Sequence, residues 1–251
     1  MKNVMTFGSC LSIGVAKSLK KIGGWKRVSS VQHNRIDQFV GAYIQKVKRP
    51  VERGTLDIVI KDKYKFTNVL QNQILGWELG KALPEKGDNL LTPMDAIKDG
   101  VDLVVFDNFP EIYFKTYSDE IGKEQLFLNQ EYFMEIPKRY RIDENLLDEV
   151  RIIDYYLELI KFIRIYNPKC YFVFINFPVN LNPKKSVRDR AKLIEVFLER
   201  LLEDVDGMYI IPAQGTYRTD LSKANDIHHF TDRRYMDYAL TTKGAFDAFC
   251  K

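Results

Sequence analysis

Five short apolar runs, Val4–Phe7, Arg27–Val31, Leu103–Phe106, Tyr171–Ile175 and Met208–Ile211, constrain the fold of this chain more than any other feature. Each is followed by polar or turn residues and then by helical material, the alternation that builds a parallel sheet with helices on both faces. The expectation is an α/β three-layer sandwich around a central parallel sheet of about five strands. No Ser-, Gly- or Pro-rich linker divides the 251 residues, so 1–251 read as one domain. A hydrophobic share of 45% suffices for a large core, and 29% charged residues argue against a membrane protein.

Periodicity places helices at Ile13–Lys21, at about Glu144–Tyr166, at Ser186–Leu202 and at Thr242–Phe249. In the second, Leu146, Leu147, Val150, Ile153, Leu157, Ile160 and Ile163 should face inward; in the third, Leu193, Val196, Phe197 and Leu201. Two stretches break the repeating unit. Residues 42–95 hold a hairpin pattern, Leu56–Ile60 against Lys65–Thr67, and residues 110–143 hold Tyr113, Phe114, Tyr117, Phe127, Tyr132, Phe133 and Tyr140. Such insertions either pack a subsidiary core or form lids and substrate walls.

In open parallel sheets, ligands bind beyond the carboxyl ends of the strands. After the first run come Gly8, which permits a tight turn, then Ser9 and Cys10 at the start of a helix whose free N–H groups can hold a developing oxyanion. The other strand ends carry Gln32-His33-Asn34, Asp107-Asn108 and Asn176. Near the C-terminus, Asp226-Ile227-His228-His229 offsets a carboxylate and an imidazole by three residues, so that one helical turn aims both the same way. The carboxylate then fixes the tautomer that leaves the other ring nitrogen facing a nucleophile. Cys10 or Ser9, with Asp226 and His229, are the candidate catalytic residues. Asn108, Gly8, His33, Asn34 and His228 are candidates for oxyanion or substrate binding.

Three cysteines, at 10, 170 and 250, form an odd set without metal-ligand spacing, so no metal site is expected and Cys170 reads as a buried small hydrophobe. The set fits a reducing compartment, and the N-terminus runs straight into a strand, so the expected location is cytoplasmic, without export signal or membrane span. The net charge of +4 is modest, but basic residues cluster at Lys46, Lys48, Arg49 and Arg53, and at Lys184, Lys185, Arg188, Arg190 and Lys192. The second cluster follows a strand and opens a helix, which makes it a candidate phosphate site. No zinc-finger or RNA-binding signature accompanies either cluster, so a nucleic-acid partner is not expected.

The order of glycine-turn nucleophile, asparagine after a middle strand and Asp-x-x-His before a final helix resembles the SGNH (GDSL-type) hydrolase superfamily. The spelling Gly8-Ser9-Cys10-Leu11 departs from Gly-Asp-Ser-Leu and is similar to the GSCFA-type variant group and to acetyltransferases of bacterial polysaccharide synthesis. The resemblance implies a flavodoxin-like arrangement, with Cys10 at the nucleophile's position and Asn108 as an oxyanion donor. It also places a glycine after the second strand, where this chain has Gln32-His33-Asn34. The activity implied is an acetyltransferase or esterase working through a covalent acyl-enzyme on a carbohydrate or sugar-nucleotide precursor. No tightly bound cofactor is implied, and acetyl-coenzyme A would be the acyl donor of a transferase, its phosphates on the Lys184–Lys192 cluster. The alternative is a sugar- or nucleotide-binding module on the same scaffold. Motif register favours Cys10 and the superfamily's usual chemistry favours serine, so both stay open at this point.

Overall fold

The computed structural model describes residues 1–48, 51–52, 61, 74–75, 90–119, 125–126, 138, 140–142 and 146–251. The hairpin expected at 56–67, the aromatics Phe127, Tyr132 and Phe133, and the basic residues Arg49 and Arg53 lie outside them.

All five apolar runs become strands of one parallel sheet: β1 (Lys2–Gly8), β2 (Trp25–Gln32), β3 (Leu103–Asp107), β4 (Tyr171–Ile175) and β5 (Met208–Ile211), in the order β2-β1-β3-β4-β5. This is the doubly wound flavodoxin-like order, whose chain reversal lies between β1 and β3. The helices are α1 (Cys10–Ile22), α2 (Ile36–Phe39, continued as a π-helical turn through Ile44), α3 (Pro93–Asp99), α4 (Phe109–Tyr113), α5 (Glu149–Tyr166), α6 (Lys185–Leu198), α7 (Leu201–Asp204) and α8 (Asp232–Phe249). The insertions contribute small sheets of their own, Val51–Glu52 with Ile74–Leu75, and Tyr117–Asp119 between Gln125–Leu126 and Tyr140–Ile142.

Side-chain alternation along the strands assigns the layers. Phe106, Phe172 and Phe174 stack on one face; Tyr156 of α5 meets Phe106 and Phe174 edge-on, and Phe39 of α2 meets Phe7. Tyr171 points to the other face, against Phe246 of α8, which also meets Trp25. β3 and β4 are buried along their whole length, as strands covered on both faces must be. Each Phe, Leu or Ile withdrawn from water in this way contributes roughly 1.5–3 kcal/mol.

Several helix boundaries and faces differ from expectation. α5 starts at Glu149 because the Asp148 carboxylate caps the amides of Val150 and Arg151, and Val150 is turned outward while Tyr156 is fully buried. α6 buries Ala191, Ile194 and Leu198; Leu193 and Val196 are 44% and 53% exposed, and Leu201 is buried from the separate turn α7. Two apolar stripes run along α6, and the one that meets the core is the stripe aligned with the buried Ala191. α8 begins ten residues earlier than Thr242, where Thr231 caps the amide of Arg234. The first helix begins at Cys10 itself, with Ser9 as its cap.

Candidate active site

Strand register aligns the carboxyl ends in a row, pairing Gly8 with Gln32 and Asp107 with Ile175. The residues that follow, Ser9-Cys10, His33, Asn108 and Asn176, therefore come to one edge.

The turn between β1 and α1 is fixed by Asp107. Its buried carboxylate accepts the N–H of Ser9 at 2.7 Å and of Ser12 at 3.0 Å through Oδ2, and that of Phe109 at 3.2 Å through Oδ1. A Cβ on Gly8, whose φ is +151°, would stand 2.4 Å from that Oδ2. Ser9 Oγ accepts the Leu11 N–H at 3.1 Å, which satisfies a second first-turn amide, and Ser9 is buried at 2% exposure. The other first-turn amides, of Leu11, Ser12 and Ile13, are taken by Ser9 Oγ, Asp107 Oδ2 and the Ser9 carbonyl, so that of Cys10 is the one to offer an oxyanion. Asp107 has no role in the sequence motif. The signal for it is physical: a glycine turn into a helix leaves amides that an acceptor on the neighbouring strand must take.

Cys10 is partly buried, and its thiol is unlike the other two. Burial by itself would raise it, but hydrogen bonds and charge from His229 and His33 bring it down to about 6. Cys170, buried as expected, is pushed up to about 12, and Cys250 is exposed. His229 is raised to about 9, first by its hydrogen bond to Cys10 and further by Asp226, whose Oδ2 lies 2.8 Å from its Nδ1. The two values describe one coupled pair, in which thiolate and imidazolium coexist across neutral pH. Asp226 also accepts the His228 N–H at 3.2 Å, and its carboxyl is held low: burial works against this, and the bonds and charges of His228 and His229 prevail.

Asp226 and His229 sit on a turn, not on the helical turn expected. A bridge between Leu221 and Phe230, the Ser222 N–H to His229 carbonyl bond at 3.0 Å and the Thr231 N–H to Asp220 carbonyl bond at 2.8 Å pin that loop. His228 packs into an aromatic wall of Phe109, Tyr113 and Phe177, with ring centroids at 5.2, 5.1 and 6.3 Å; burial lowers its basicity.

Asn108 is oriented unambiguously. Its Oδ1 accepts the Phe177 N–H at 2.8 Å, so its Nδ2 is the donor to Asn176 Oδ1 at 3.1 Å, and each amide nitrogen has two hydrogens. Asn176 Nδ2 and Asn34 Oδ1 are buried without a partner among the described residues. His33, in the Gln32-His33-Asn34 segment that follows β2, adopts a left-handed backbone with φ +54°. The expected phosphate cluster lies at the start of α6, but much of it serves the protein. Arg190 donates to the carbonyls of Glu111 and Leu147 and pairs with Glu149 at 2.6 Å, Arg188 donates to the Asn182 carbonyl, and Lys185 pairs with Asp189; Lys184 is the α6 N-cap. Phe114, Tyr117 and Tyr140 of the aromatic insertion are buried. Among the described residues no cluster of His, Cys, Asp and Glu is grouped for a metal ion, and no helix is long and apolar enough to cross a membrane.

No protein-family model and no curated protein matches this chain. Solved structures do resemble it. A carbohydrate esterase family 2 enzyme with its carbohydrate-binding domain, from Corynascus thermopiles (Myceliophthora fergusii), aligns over 99% of this chain and 66% of its own, at 10% identity and a TM-score of 0.47. An acetyl xylan esterase from the rumen bacterium Butyrivibrio proteoclasticus aligns over 97% and 65%, at 11% identity and 0.42. A lipase from a goat rumen metagenome aligns over 98% and 97%, at 11% identity and 0.39. The chain spans about two thirds of the length of the two esterases.

Proposed function

We propose that this chain is an SGNH-type acyl-transfer enzyme in which Cys10, and not Ser9, carries the acyl group. The observation that supports it is the division of labour between the two neighbours: Ser9 Oγ is taken up as the cap of α1, while Cys10 Sγ lies 3.7 Å from His33 Nε2 and has its thiol drawn down to about 6, against the effect of burial, by His229 and His33.

The thiolate of Cys10 attacks the acyl carbonyl carbon, the S–C bond forms, and the carbonyl π pair moves to oxygen. The Cys10 N–H and Asn108 Nδ2 serve as the donors to that oxyanion. Collapse restores the carbonyl and expels the leaving group, which takes the proton from His229, held in its tautomer by Asp226. In the second half the neutral His229 removes a proton from the acceptor hydroxyl as it attacks the thioester, and the thiolate returns. Passage from a thioester donor to a cysteine is nearly balanced in energy, and from cysteine to a hydroxyl it runs downhill. A cysteine nucleophile therefore suits acetyl-coenzyme A as donor and a sugar hydroxyl as acceptor, with water as the competing acceptor of an esterase. The carbohydrate acceptor comes from the resemblance of Gly8-Ser9-Cys10-Leu11 to polysaccharide acetyltransferases. A thiolate nucleophile and three unpaired cysteines also favour a reducing compartment such as the cytoplasm.

The test is turnover of aryl acetates and of acetyl-coenzyme A, with and without sugar acceptors, by the unmodified protein and by Cys10→Ala. Acyl transfer lost in Cys10→Ala supports the reading; no turnover of any donor, with sugar or nucleotide binding intact in Cys10→Ala, would favour a binding module instead.

A further inference from the structure

Two side chains outside the Cys10–His229–Asp226 set converge on the same sulfur. Gln32 Nε2 donates to Cys10 Sγ at 3.1 Å, and His33 Nε2 lies 3.7 Å from it. Both come from the end of β2, which the parallel register sets beside Gly8. His33 sits there at φ +54°, a left-handed backbone that residues with a Cβ adopt uncommonly, histidine more readily than most. Its N–H donates to the Gly8 carbonyl at 2.6 Å, and its ring is braced by the edges of Phe109 and Phe114, with centroids at 5.8 and 6.4 Å. A strained residue that a rigid surrounding keeps beside a nucleophile points to a role in the chemistry.

The ring's other nitrogen decides what that role is. His33 Nδ1 is buried without a partner among the described residues, whereas His229 has Asp226 on its Nδ1. Among the described residues no carboxylate meets Nδ1 of His33, and against a thiolate the favourable tautomer puts the hydrogen on Nε2. His33 is thus built as a donor and His229 as the proton carrier.

We propose that His33, with Gln32 beside it, is a catalytic residue that holds the resting Cys10 thiolate through Nε2–H and then binds the acyl oxygen of the tetrahedral intermediate. This rests on the reading of Cys10 as an acyl-transfer nucleophile. As the S–C bond forms, the negative charge leaves sulfur for an oxygen on the attacked carbon. A donor 3.7 Å from sulfur makes only a long bond in the resting state and is within reach of that oxygen once the carbon is bound. Collapse returns the electron pair to the carbonyl and releases the donor; His33 neither gains nor loses a proton.

The test has two readouts on the same variants: the pH profile of Cys10 alkylation by iodoacetamide, followed on the Cys10 peptide, and the rate of Cys10 acylation by an aryl acetate. The charged and titratable groups facing the sulfur are His33, His229 with Asp226, Asp107 behind the turn, and Tyr235 of α8. His33→Ala should move the alkylation midpoint upward and slow acylation about a hundredfold at neutral pH, through kcat more than KM. His33→Gln, which keeps an N–H donor, should recover part of the rate. His33→Gly, free of the left-handed penalty, separates folding from chemistry and should be as slow as His33→Ala. Unchanged profiles and rates in both His33→Ala and His33→Gly would overturn the proposal. A shifted alkylation profile in a protein that never acylates would instead overturn the acyl-transfer reading, leaving the thiolate contact standing.

Discussion

Gly14 of α1 and Tyr235 of α8 are in direct contact: a Cβ on Gly14 would sit 2.4–2.7 Å from three atoms of the tyrosine ring. That close approach brings the C-terminal loop to the nucleophile, because Tyr235 Oη accepts the N–H of Phe230 at 3.2 Å and His229 is the preceding residue. Gly14→Ala must displace a rigid ring, so it should cost about 1–3 kcal/mol of stability. It should also raise the Cys10 alkylation midpoint by separating the sulfur from His229, and melting together with pH-resolved alkylation checks both.

Ser9 and Cys10 should respond in opposite ways. Ser9→Ala removes a helix cap and should cost about 1 kcal/mol while leaving acylation of Cys10 in place. Cys10→Ala should leave stability nearly unchanged and abolish acylation. Denaturant titration and acyl-transfer assays on the pair check this.

The pH dependence follows from the coupled pair. Below about 6 the Cys10 thiolate takes up its proton, and above about 9 His229 loses the proton that the leaving group needs. Acylation should therefore follow a bell with limbs near 6 and 9. His229→Ala should lose the alkaline limb and raise the acid one, as single-turnover rates against pH will show.

Glu111 makes a separate prediction about stability. Burial pushes its carboxyl up to about 7, against the Ile36 amide, which Oε1 accepts at 2.9 Å. The folded state then holds a proton that the unfolded state, titrating near 4.3, has lost. Because the folded value is the higher one, stability falls as pH rises from about 4.5 to 7, by up to about 3 kcal/mol. Glu111→Gln keeps the acceptor for Ile36 without the charge. It should match the unmodified protein near pH 4 and exceed it above pH 7; an equal difference at both ends of a urea-unfolding pH series would contradict this.

β3 and β4 were legible because a strand buried on both faces shows as an unbroken apolar run, and the ends of β1, β2, β3 and β4 carry residues that form the site. The helix faces were less so. On α6 the stripe through Leu193 and Val196 competes with that through Ile194 and Leu198, and packing, which the sequence does not display, decides between them. The Asp226–His229 pair was visible from its spacing, but its seating depends on the Gly14–Tyr235 contact across 221 residues of chain. The choice between Ser9 and Cys10 rests on which side chain the Leu11 amide engages, and the role of Asp107 on amides donated from another strand's turn.

The most direct test is to trap the acyl-enzyme. The unmodified protein, mixed with acetyl-coenzyme A or an aryl acetate and quenched in acid, should carry one acetyl group on the peptide containing Ser9 and Cys10. That label should be released by neutral hydroxylamine, as a thioester is, and be absent from Cys10→Ala but present in Ser9→Ala. A label on Ser9, or none on either residue under conditions of turnover, would contradict the account.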